Sequence, residues 1–297
     1  MNEHNVFLDG LEEFVDFGKE VETPTGENLE KIHLRTNDYR AIIGYKVLKD
    51  FARFTSHEDL SIDTLDYHGK TRIYLTGLKR RAVYRRASEA ILRQYNTTYN
   101  CATPDHQCMH CYNCYLYGGV IAIADKTKAI KSRMKTTTSF SIQGDEESII
   151  DEPEFHTMIH RDLKMAQTAD QKKASIYEMV LIKPGVVFPF IDIIFNPTKF
   201  DMAMYFETVR RSDAEGYGSR SSLLGTMDTS YVAVTDDLRI SQVELLDAIK
   251  IEEAGIEDRR LKDLFNAKEL IQKKEIEEMQ HSLPELIEKN KKAIYGT

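Results

Sequence analysis

The sequence predicts an α+β protein, and three observations carry that prediction. Short apolar or β-branched runs, among them TRIYLTGL, YGGVIAIA, GVVFPFIDIIF and SYVAVT, recur through the first 235 residues and read as strands. Between them lie two segments of helical character, KRRAVYRRASEAILRQY and FDMAMYFETVRR. From Ser241 the texture changes, and helical periodicity runs to the end of the chain.

Each element follows from its residues. After an acidic leader, KIHLRTNDYRAIIGY alternates and is rich enough in β-branched residues for a strand or hairpin, with Arg35 and Arg40 flanking the turn candidate Asn37-Asp38. TRIYLTGL is a second strand. In KRRAVYRRASEAILRQY, Ala87, Ile91 and Tyr95 recur at spacing four while Arg81, Arg85 and Arg86 load another face, which predicts a basic amphipathic helix. The cysteine-rich CATPDHQCMHCYNCYLYGG leads into the strand YGGVIAIA. KSRMKTTTSFSI, with many hydroxyls and alternating bulk, predicts a strand or a hairpin arm. An acidic, irregular stretch from Asp145 to Pro153 precedes EFHTMIHRDL. EMVLIKPGVVFPFIDIIFN predicts a hairpin turning at Pro184-Gly185, and FDMAMYFETVRR a helix that ends near the glycine-rich GYGSRSSLLG. Ser241 and Glu244 form a capping-box signature. Helical segments follow it, with Gly255 and Pro284 as breaks.

The N-terminus carries acidic residues and no long apolar run, so it resembles neither a secretory signal nor a transit peptide, and the expected location is cytoplasmic. The longest apolar stretches fall short of the roughly eighteen residues of a membrane helix, which removes membrane partners from consideration. Net charge is −8. That total conceals a polarity: Gly69 to Lys135 holds 13 Lys or Arg against 3 acidic residues, while the remainder holds 27 against 45. The basic window reverses what an acidic total would imply about polyanionic partners.

All four cysteines, Cys101, Cys108, Cys111 and Cys114, fall within fourteen positions. Four thiolates can close a tetrahedral zinc shell, and a C-x2-C-x2-C run lets a tight turn aim several sulfurs at one ion. His106 and His110 are rival donors, because three cysteines and one histidine also make a tetrahedral shell. Disulfides need an oxidising compartment, and the spacing matches neither common ferredoxin run. Zinc is therefore the expected cofactor.

Three segments point to RNA. LKRRAVYRRASEAILR offers Lys79, Arg80, Arg81, Arg85 and Arg86 to phosphates, with Tyr84 available for stacking. In KSRMKTTTSFSI, Lys131, Arg133 and Lys135 alternate, so a strand would project them onto one face beside Ser132 and other hydroxyls. GYGSRSSLLG is a glycine-rich loop whose amides can approach a phosphate while Arg220 supplies charge. No catalytic residue is assigned. His156 and His160 stand four apart, yet no glutamate completes a zinc-protease motif, and Asp162, Asp192 and Asp201 share no pairing spacing.

Taken in order, IHLRTNDYRAI, KRRAVYRRASEAILR, CxxCxxCYLYG, KSRMKTTTSFSI, IKPGVVF and GYGSRS resemble the backbone subunit of type I-D CRISPR effector complexes, in the RAMP superfamily. The resemblance spans roughly residues 31–228. It implies a ferredoxin-like (RRM-like) core with insertions over 1–235, including a zinc-binding and basic hairpin insertion at 96–145, followed by a helical region at 236–297. It further implies a subunit that coats CRISPR RNA in a helical filament of its own copies. Target DNA would be met through the guide, beside other type I-D subunits including the large nuclease. The RNA contacts implied are Arg35, Lys79 to Arg81, Tyr84, Arg85, Arg86, Lys131 to Arg133, Lys135, and Gly216, Tyr217, Gly218, Ser219 and Arg220. Threonines at 136–138, where related nuclease backbones carry an acidic residue, argue against a target-cutting centre. The rival readings are such a metal-dependent nuclease and a zinc-ribbon module that joins proteins.

Overall fold

A strand that is apolar at nearly every position has to be buried on both faces, and β1 (Tyr39–Leu48) meets that demand. In the computed structural model, which describes residues 8–34, 38–54, 62–67, 69–123, 126–150, 154–157, 159–160, 165–166, 176–218, 224–252 and 255–296, Ile42 and Leu48 face one core. Ala41, Ile43 and Tyr45 face a second.

After β1 come the hairpin β2 (Thr64–Tyr67) and β3 (Lys70–Leu75), then α1 (Gly77–Tyr95), capped by the Thr76 hydroxyl accepting from the Lys79 amide. The short α2 (Tyr112–Tyr117) leads into the hairpin β4 (Gly119–Ile123) and β5 (Lys126–Ile130), followed by β6 (Met134–Thr136) and β7 (Ser139–Phe140). β8 (Val187–Phe195), α3 (Lys199–Glu215) and β9 (Met227–Thr235) complete the centre. β9, β1, β8 and β6, in that order, form an antiparallel four-stranded sheet. Its elements run β-α-β-β-α-β along the chain, with α1 and α3 packed on one face through Tyr84, Ile91, Tyr205 and Val209. The other face is covered by α4 (Gln242–Ala248) through Leu245 and Ala248, and by Leu261. The predicted mixture of antiparallel sheet and helix is therefore the one found.

Three local expectations differ from the structure. KSRMKTTTSFSI is two short strands: β6 pairs with β8, and β7 pairs with β3. The turn at Pro184-Gly185 exists, but Ile176–Met179 pairs with Glu154–Thr157 rather than with β8, so there is no hairpin. His156 and His160, four apart in sequence, lie on separate short strands, Glu154–Thr157 and Ile159–His160. Finally, the C-terminal region is not purely helical: Lys250–Glu252 and Gly255–Glu257 form a hairpin, and Ile271 and Glu269 bond to the edge of β9. Beyond it, α5 (Lys273–Lys289) continues through Pro284, and with α6 (Lys291–Tyr295) contributes Leu283, Ile287, Ile294 and Tyr295 to the main core. That apolar stripe outweighs the backbone bond the proline forfeits. No helix among the described residues is long and apolar enough to cross a membrane.

Candidate nucleic-acid interface and cysteine cluster

The cysteine cluster forms between α1 and α2. Ala102 and His106 exchange backbone hydrogen bonds, closing the turn after Cys101, and Cys111 sits at the N-cap of α2 with Cys114 one turn on. The four sulfurs lie within 4.8 Å of one another. Cys101 Sγ is 3.6 Å and Cys108 Sγ 4.0 Å from Cys114 Sγ. A tetrahedron with metal–sulfur arms of about 2.3 Å has edges of about 3.8 Å, so the donor set fits a tetrahedral metal ion. His106 and His110 are exposed and stand outside this group, leaving four cysteines as the donors among the described residues.

Three of the four thiols are buried. Hydrogen bonds from Cys108, Cys111 and Cys114 hold the Cys101 thiol below its ordinary range, and bonding to Cys101 pushes Cys111 and Cys114 up. A divalent cation among the four sulfurs would favour the thiolate form of each. Further polar groups point at the sulfurs: Tyr99 Oη is 3.1 Å from Cys111 Sγ, and the Met109 amide donates to Cys114 Sγ at 3.4 Å. Arg85 Nη2 stands 3.6 Å from the same sulfur.

Beside the cluster, Arg81 on α1 and Lys131 and Lys135 flanking the start of β6 line an open groove of about 550 Å³. Its wall is glycine backbone, Gly118 and Gly119, with Gln107. Gly118 has φ +80°, and a side chain there would overlap Ile130 O and the Ser132 amide, so glycine is required. Lys131 and Lys135 are exposed, Arg81 half-buried, and Arg86 exposed on the neighbouring face of α1. Ser132 belongs to the groove lining, but its hydroxyl lies 2.7 Å from Met134 O and 3.0 Å from Leu116 O.

Several other residues expected to meet RNA find their partners inside the protein. Arg80 is fully buried and donates to Asp192 Oδ1 and to Thr137 O, both at 2.8 Å, while the Tyr205 hydroxyl donates to Asp192 Oδ2 at 2.9 Å. Arg133, expected on the same strand face as Lys131 and Lys135, precedes β6 and turns inward to Asp201, which it meets with both terminal nitrogens at 2.9 and 2.7 Å. Tyr84 is fully buried against Tyr205 and Tyr217 and has no face free for a base. Arg85 also lines the groove, but it is buried and its guanidinium is spent on Glu89, Gly118 O and Cys114. The reason is common to all: a guanidinium or ring whose partners lie in the core cannot leave them without exposing a buried counter-charge or cavity. Lys79 is half-buried, and burial lowers its pKa.

In the glycine-rich segment, Gly216 has φ +89° at the end of α3, and Tyr217 N and Gly218 N bond Gly225 O and Leu224 O to close the loop. Tyr217 is its buried anchor: the hydroxyl donates to Asp213 and the ring lies under Lys46 Nζ at 5.1 Å. Ser219, Arg220 and Arg35 lie outside the described residues. Sequence reasoning weighed Asp192 and Asp201 only as nuclease carboxylates and missed both their pairing with buried cations and Asp213; the one available signal was an aspartate inside an apolar run, as in FPFIDIIF.

The Csc2 Crispr family matches residues 57–293. No curated protein sequence matches the chain. Among solved structures, the crystal structure of Csc2 from Thermofilum pendens is similar with a TM-score of 0.50 and 17% identity, over 89% of this chain and 82% of that one. At that identity the likeness concerns the fold. A chain of a type IV-B CRISPR complex gives 0.44 and 12% over 70% of this chain and 97% of that one. The Csm3 crystal structure from Methanopyrus kandleri gives 0.43 and 9% over 66% and 76%.

Proposed function

The chain belongs to the Csc2 CRISPR family, and from that premise we propose that it is the backbone subunit that coats CRISPR RNA in a type I-D effector complex. One observation carries the reading: Arg81 and the pair Lys131 and Lys135, from separate segments, meet along an open groove walled by glycine backbone. Cations beside close-approach backbone suit a phosphate chain of any sequence. The β-α-β-β-α-β core is read as ferredoxin-like. The acidic surface outside the basic window supports head-to-tail contact between copies, a heterologous interface that grows a filament along the guide. Target DNA would then pair with exposed guide bases, alongside the other effector subunits including the large nuclease.

Cys101, Cys108, Cys111 and Cys114 are read as a zinc site, in which zinc would supply folding free energy and no reaction step. No catalytic role is assigned. Asp192 and Asp201, which a nuclease centre would draw on, are buried against Arg80 and Arg133, while Asp162 lies outside the described residues.

The test is the triple substitution Arg81→Ala, Lys131→Ala, Lys135→Ala in purified protein with single-stranded RNA. Affinity should fall, and the log–log salt slope should drop by about 2, at about 0.7 per phosphate contact. Unchanged affinity and slope would remove the groove from RNA binding. Assembled complex given labelled target strand and Mg²⁺ should yield no evenly spaced products; a regular ladder would restore the nuclease reading.

A further inference from the structure

We infer that Arg85 is a positioning residue that couples the cysteine cluster to the RNA groove, so that the groove keeps its binding shape only while the cluster holds its metal. This rests on the function and zinc site proposed above.

Arg85 has a side chain 8% exposed and its guanidinium touches three groups. Nη2 lies 3.6 Å from Cys114 Sγ, Nη1 donates to Gly118 O at 2.5 Å, and Nε donates to Glu89 Oε1 at 3.1 Å. Gly118 is a wall of the groove and ends α2, its amide bonding Cys114 O at 3.0 Å. One planar group therefore holds both a metal-ligating sulfur and the backbone that RNA would approach. The next two turns of α1 hold the other end of the loop. Glu89 accepts from Thr103 Oγ1 at 2.9 Å, and Arg93 donates to Cys101 O at 2.7 Å.

The electrostatics give Arg85 a reason to be there. Four thiolates around a divalent cation carry net charge −2, and with three of the sulfurs buried an uncompensated dianion is costly. The guanidinium offsets part of that charge at Cys114, and its fork reaches the sulfur and the Gly118 carbonyl together, which a lysine ammonium cannot do. Emptied of metal, the four sulfurs lose the ion that would hold them on one centre. Cys114 then loses its reason to stay beside Arg85, and Gly118 moves with the helix it terminates.

The experiment uses the full chain, zinc-loaded, as wild type, Arg85→Lys, Arg85→Gln and Arg81→Ala. It reads the rate of zinc transfer to a colorimetric chelator and the affinity for a single-stranded RNA oligonucleotide. Both Arg85 variants should release zinc about tenfold faster or more, as removal of an outer partner of a metal ligand does, and should bind RNA more weakly. Arg81→Ala should weaken RNA binding and leave zinc release unchanged. Stripping zinc from the wild type should reproduce the RNA defect, and adding it back should repair it. Should Arg85→Gln not fold, Arg85→Lys carries the test. Wild-type zinc release in Arg85→Lys, or fast release with undiminished RNA affinity, overturns the coupling alone. Zinc-loaded wild type that ignores RNA overturns it together with the function on which it rests.

Discussion

Arg80 and Arg81 are neighbours in sequence with the same charge, and the fold gives them opposite duties. Successive residues of a helix point about 100° apart, so when Tyr84, Ile91 and Leu92 turn α1 toward the sheet, Arg80 is carried to Asp192 and Arg81 to the groove. Their substitutions should separate cleanly. Arg80→Ala strands a buried carboxylate and should cost about 3–5 kcal/mol in denaturant unfolding. Arg81→Ala should change stability by no more than about 0.5 kcal/mol while weakening RNA binding. Equal stability losses would mean that the two side chains share one environment. Arg133, one position from Ser132, is likewise an internal cation, carried to Asp201 by the segment that leads into β6 and not by the helix.

At the scale of elements, local chemistry in the sequence marks where helices begin. The Ser241–Glu244 capping box is formed as read, since its partners are three residues apart. A second box at Thr198 and Asp201 starts α3, and there the cap is joined to the core because Asp201 also binds Arg133. Thr198→Ala should cost about 2 kcal/mol, the upper end for a cap, measured by thermal unfolding. A loss of a few tenths would show that Arg133 alone holds Asp201. Strand pairing was less legible. The Pro184-Gly185 turn reads correctly because proline and glycine act on their own dihedrals, but the partner of Ile176–Met179 is a distant strand. Nothing in EMVLIKPGVVF distinguishes that pairing from a hairpin.

For the whole molecule, the core between the sheet and α1 and α3 is unusually phenolic. Tyr84, Tyr205 and Tyr217 are held well above their ordinary pKa, burial being the largest cause in each. The folded state therefore favours the neutral phenol. That stability is fully present below about pH 10, where unfolded tyrosine titrates, and declines as pH rises beyond it, by about 1.4 kcal/mol per pH unit for each of these groups. Unfolding and tyrosinate absorbance should appear together in an alkaline titration. Ionisation of all tyrosines without loss of structure would contradict the burial.

The sequence by itself determined what is local: the clustering of four thiols, the helix caps, the basic window and the glycines at tight turns. Each depends on residues within a few positions of one another, so spacing and side-chain chemistry suffice. The tertiary structure decided which charges are free. Arg80 meets an aspartate 112 positions away and Arg133 one 68 positions away. Whether a cation faces solvent or a buried counter-ion depends on how its helix or strand segment is set against the core, and packing of the whole core decides that. The groove, its glycine wall and the link from Arg85 to the cysteine cluster exist only once that packing is complete.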